Sequence, residues 1–74
     1  MTLDQGVING RYIVESLHLP LKLEKRLEAL GMTNGTSVSV LNAKNHGTLI
    51  IKVRGTRFAV GKAISRNITV RESV

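Results

Sequence analysis

Around residue 50 the chain alternates. Leu49, Ile51 and Val53 fall on one side of an extended segment and Lys52 and Arg54 on the other, where Ile50 joins them. A period of two marks a strand with one face against a core, and residues 48–54 are its clearest instance here. Weaker versions run through 11–17, rich in β-branched and aromatic residues, through 36–44, through 57–60 with Phe58 and Val60 inward, and through 67–71. One stretch keeps a different period. Leu23, Leu27 and Leu30 recur at i, i+4 and i+7, which predicts a helix over 21–30 with Lys22, Glu24, Lys25 and Glu28 on its wet side. Pro20 suits the first turn of that helix, where a missing N–H is not needed. A helix of about ten residues does not persist alone, so its leucine face is expected to pack on the sheet.

Turn chemistry separates these segments. Gly31 follows the helix where a left-handed cap is expected, and Met32 can fold back as the apolar contact that accompanies such a cap. Asn34-Gly35 makes a tight turn within 33–36, Asn45-His46-Gly47 connects a hairpin with Gly47 at positive φ, and Gly55-Thr56 turns the chain again. Gly31, Gly35, Gly47 and Gly55 are thus assigned to turns. Residues 61–66 suit a single helical turn, and 2–6 form a lead-in or strand edge anchored by Leu3. The expectation is one domain over 1–74, mainly β: a small antiparallel barrel of about five strands with one α-helix inserted after the first full strand. Closure of the barrel would remove edges that a chain of 74 residues has little material to cover.

Charge changes the picture. The net charge is +6, and no carboxylate lies between Glu28 and Glu72, whereas Lys44, Lys52, Arg54, Arg57, Lys62, Arg66 and Arg71 all do. Such a field attracts anions, whether RNA, DNA, lipid headgroups or an acidic protein face; the plainer alternative is the solvated side of strands. Without cysteine there is neither a disulfide nor a thiolate metal site. His18 and His46 show no ligand spacing and read as ordinary surface histidines, so no metal site and no cofactor are assigned. There is no cysteine, no carboxylate pair in the second half and no glycine-rich phosphate loop to suggest catalysis, so the chain is read as a non-enzyme. Tyr12 and Phe58 are the only aromatics, too few for a proline-peptide groove or a base-stacking platform. Salt-sensitive phosphate contact, as in a basic nucleic-acid-binding barrel, stays open as the rival reading. Protein binding is the function left, with Leu19, Leu21, Met32 and Ile50 as apolar candidates framed by Arg26, Arg54 and Arg57. No apolar run approaches the ~18 residues of a membrane span, and Asp4, Asn9 and Arg11 interrupt any signal-peptide core, so the expected location is cytoplasmic.

Two stretches carry a family resemblance that extends over 2–70. Lys25-Arg26-Leu27-Glu28-Ala29-Leu30-Gly31-Met32 followed by Asn34-Gly35-Thr36 resembles the Arg-Leu-x-x-Leu-Gly corner of the FeoA family, small cytosolic partners of the bacterial ferrous iron transporter FeoB. Ile51-Lys52-Val53-Arg54-Gly55 with Phe58-Ala59-Val60-Gly61 resembles that family's valine–arginine–glycine hairpin. Asn34 stands where many members have Pro, and Gly61-Lys62-Ala63-Ile64-Ser65 replaces an arginine-rich stretch. The resemblance implies an SH3-like barrel, binding to the cytosolic region of a FeoB-type transporter, attachment to the membrane through that partner only, and at most weak contact with a transition-metal ion. It also implies kinship with the C-terminal domain of metal-dependent repressors, hence a metal-sensing alternative.

Overall fold

The computed structural model describes residues 1–73. Five antiparallel strands, β1 (Arg11–Leu17), β2 (Ser37–Ala43), β3 (Leu49–Val53), β4 (Thr56–Val60) and β5 (Ile68–Glu72), form one sheet in the order β4-β3-β2-β1-β5. The main helix, α1 (Leu21–Ala29), is inserted after β1, and a single turn, α2 (Lys62–Ser65), joins β4 to β5. A 3₁₀ turn, Leu3–Gln5, precedes the sheet. Alternation decides which side faces in. Val38 and Val40, Leu49, Ile51 and Val53, Val60, and Ile68 and Val70 are buried, with Tyr12 and Val14 from β1, while Lys52, Arg57 and Ala59 are exposed.

The expected closure of the barrel is not observed. β4 and β5 are the two outer strands and do not pair. α2 lies between β4 and β5 in the chain and packs on the N-terminal 3₁₀ turn, and Leu3 and Ser65 are both fully buried. No ladder therefore joins the two ends of the sheet. The free side of β5 is covered instead by the chain's own beginning. Val70 N–H donates to Met1 C=O at 2.9 Å, and Thr2 bridges Thr69. The lead-in is thus a turn that also guards an edge.

The corner after α1 is built as the glycine predicts. Gly31 N–H donates to Glu28 C=O (2.9 Å) and Met32 N–H to Leu27 C=O (3.0 Å), with Gly31 at φ 102°. These two bonds define a Schellman cap, and its usual apolar contact is supplied by Met32 and Leu27, both buried. The leucine face is narrower than its spacing predicts. Leu27 alone of α1 is buried, Leu23 is half-buried, and Leu30 is 38% exposed. Leu30 is the cap residue, after which the chain leaves the helical path at ψ 0°. Gly35, Gly47 and Gly55 also have positive φ. The turn between β3 and β4 sits one residue earlier than the sequence suggests. Arg54 (φ 51°) and Gly55 (φ 83°) form a two-residue loop, the type whose twist matches that of paired strands.

Candidate partner-binding surface

The strand registers assemble a row that no single segment contains. Arg57 lies opposite Lys52, Lys52 opposite Ser39, and Ser39 opposite Arg11. Three cations and a serine thus cross four strands on the outer face of the sheet, with no carboxylate among them. Beside this row run Ala59, Ile50 and Asn42, opposite one another in the same registers. Like charges directly opposite across strands destabilise a sheet, and here Lys52 and Arg57 are so placed.

The carboxylates gather elsewhere. Glu15, Glu24 and Glu28 line a cleft of about 230 Å³ between β1 and α1, together with Val14, Ser16, Leu17, Met32 and Asn34. Glu15 meets Arg71 at 3.5 Å, both well exposed, and at such exposure the pair contributes little to stability. Glu72, by contrast, shares a second cleft with Arg11 at the end of the basic row.

The structure divides the partner-binding residues expected from sequence. Leu21, 66% exposed, and Arg26 are on the open side of α1. Arg54 lies at the tip of the β3–β4 hairpin and leans on the helix corner, where a Cβ added to Gly31 would stand 3.0 Å from its Cδ. Arg57 and half-buried Ile50 are on the outer face of the sheet. Leu19 is half-buried and packs on the core cluster. Met32 is a correction: it is 0% exposed because the Schellman cap drives it inward, and it offers no surface to a partner. The remaining residues fall into two groups, one along α1 and the hairpin tip, the other across the sheet. Sequence reasoning missed Arg11 and Lys52, since only the register places them in line with Arg57. It also missed the exposed Val7 and Ile8 at the turn before β1, 65% and 51% exposed.

The histidines are apart. His18 Nε2 is 3.0 Å from Ser16 Oγ, and His46 is exposed in the loop after β2 with φ 68°. Among the described residues no three His, Cys, Asp or Glu side chains are grouped to hold a metal ion, and no helix is long and apolar enough to cross a membrane.

Comparison with known proteins gives this geometry a context. The family model described as the FeoA domain matches residues 1–72. No curated protein sequence matches the chain. Among solved structures, the Chlorobium tepidum FeoA protein superposes with a TM-score of 0.94 at 23% identity, covering 100% of this chain and 71% of its own. At that identity the likeness is one of fold. A crystal structure of an iron uptake regulatory protein (FeoA) gives 0.88 at 29% identity, covering 99% and 97%. The Stenotrophomonas maltophilia FeoA, a prokaryotic SH3 domain protein solved with zinc and put forward as a ferrous iron transport activating factor, gives 0.80 at 28% identity, covering 95% and 88%.

Proposed function

The chain belongs to the FeoA family, and on that premise we propose that it is a cytosolic accessory protein of ferrous iron uptake, which binds the intracellular part of a FeoB-type transporter and modulates its GTPase or transport cycle. The family match over residues 1–72 carries this reading. The iron-uptake roles attached to similar FeoA structures support it. So does the surface: three cations aligned across the outer face of the sheet suit contact with an acidic partner. The contact residues proposed are Leu21, Arg26 and Arg54 along α1 and the hairpin tip, with Leu19 behind them, and Ile50 and Arg57 on the sheet.

The test uses the purified chain with the transporter's cytosolic G domain and with the full transporter in detergent. Saturable binding to one of these, with a changed rate of GTP hydrolysis, is the expected result. Charge reversal at Arg26 and Arg54 together should weaken binding by about tenfold or more, as loss of close charge pairs does at other interfaces. If neither form of the transporter binds, the reading fails.

A further inference from the structure

We propose that the free edge of β4 accepts an extended polypeptide segment, alternating carboxylates with apolar side chains, as a sixth strand. The inference goes beyond the transport reading and does not depend on it, because any partner protein could supply such a segment.

A sheet with two outer strands has two edges, and here they differ. That of β5 is occupied by Met1 and Thr2. That of β4 is bare. Val53 and Thr56 flank a two-residue loop and are the pair that exchanges hydrogen bonds, so Ile51–Phe58 and Leu49–Val60 do likewise. The N–H and C=O groups of Arg57 and Ala59 therefore point away from β3. Among the described residues no other main-chain group bonds to them. Unpaired edges of this kind are templates for strand addition, and proteins usually blunt them with a very short strand, edge charges, proline, a bulge, an inward charge or a covering segment; of the charges β4 carries Arg57 alone. β4 has no proline, and its register with β3 is continuous. Half-buried Phe58 and buried Val60 are its inward residues, and Thr56 beside the loop is exposed.

Charge selects the occupant. Arg57 begins the row that continues through Lys52 and Ser39 to Arg11. A strand added beside β4 sets alternate side chains next to Arg57 on this outer face, where a carboxylate meets uncompensated positive charge. Its other side chains fall beside Phe58 and Val60, where apolar groups extend the core. A second copy of this chain fits poorly, because it brings another Arg57 and another net charge of +6 to the same edge. Strand addition takes its affinity from main-chain bonds and its specificity from such alternate positions.

The test follows backbone amide exchange by NMR in the whole chain. The ligand is a blocked peptide of about ten residues, long enough for one strand, alternating glutamate with valine; the control has the same composition with all glutamates in one block. Expected is a slowing of exchange at the Arg57 and Ala59 amides by about tenfold or more, with the alternating peptide only. Ala59→Pro, which removes an outward N–H without a bond to β3, should abolish the slowing at Arg57, and Arg57→Glu should weaken binding. Four results overturn the proposal: no binding at millimolar peptide; binding without slowing at Arg57 and Ala59; equal slowing by the blocked control or by a DNA duplex; or a dimer in sedimentation that Ala59→Pro dissociates.

Discussion

Tyr12 does two jobs with one side chain. Its ring is buried in the core at 3% exposure, and its hydroxyl accepts a hydrogen bond from Val7 N–H at 2.8 Å. This bond ties the turn before β1 to the strand itself, a turn that needs Asn9 at φ 70°. Gly10 is required for a different reason, lack of room. A Cβ there would stand 2.5 Å from Tyr12 Oη and 2.8 Å from Val7 C=O. Gly10→Ala should therefore destabilise the fold by about 1–3 kcal/mol, the usual cost of overpacking. Tyr12→Phe should cost about 0.5–1.5 kcal/mol, and nearer the lower figure, since Val7 is exposed and its N–H can turn to water. Because the shortest of the Gly10 contacts is the hydroxyl itself, the double variant should cost less than the sum of the two. Urea denaturation of the four proteins checks all three statements. A strictly additive pair would mean that the Tyr12 ring carbon Cε2 and the Val7 carbonyl, each 2.8 Å from that Cβ, limit the space at Gly10 rather than the hydroxyl.

At the scale of elements, α1 is held by its end more than by its face. Leu27 and Met32 are buried against each other across the cap, while Leu21 and Leu30 are open to solvent. Met32→Ala or Leu27→Ala should each cost about 2–5 kcal/mol, a large part of what a domain of this length has. Leu21→Lys and Leu30→Lys should fall within about 0.5 kcal/mol of the parent. Gly31→Ala should cost about 1–3 kcal/mol, because φ 102° strains any L side chain; Arg54, whose Cδ is the nearest neighbour, is flexible enough to move aside. Thermal melts of this set decide whether cap or face anchors the helix. The same set shows what the sequence makes legible. Helix, strands and corners follow from periodicity and from Gly and Asn chemistry, which are local. Leu30 was misplaced by periodicity because a cap ends a helix before its pattern ends. The open sheet was not legible either. It depends on Met1 reaching Val70, on α2 packing against the N-terminal 3₁₀ turn, and on bulges between Val14 and Ser16 and between Val40 and Asn42, contacts between residues far apart or shifts that leave no compositional mark. For the same reason the sequence shows the basic row only as scattered charges, since Arg11 and Arg57 join one row only through three registers.

For the whole molecule, the separation of charge sets stability against binding. Arg57 and Lys52 face each other directly on the outer side of the sheet, with no carboxylate in their row. Replacing one of them by an acid turns a repulsive cross-strand pair into an attractive one. Lys52→Glu should therefore raise stability by about 0.2–1 kcal/mol. The gain should shrink in about 1 M salt, where the screening length falls to about 3 Å. The same change removes two units of positive charge from the face proposed to meet an acidic partner, so association should slow and its salt dependence should weaken. Opposite movements of stability and association are the signature expected of a charge row kept for binding. They are read by comparing melting temperature and association rate for Lys52→Glu and its parent at low and high salt. A Lys52→Glu protein that is no more stable, and that binds its partner as fast as before, would show that the row is ordinary solvated charge.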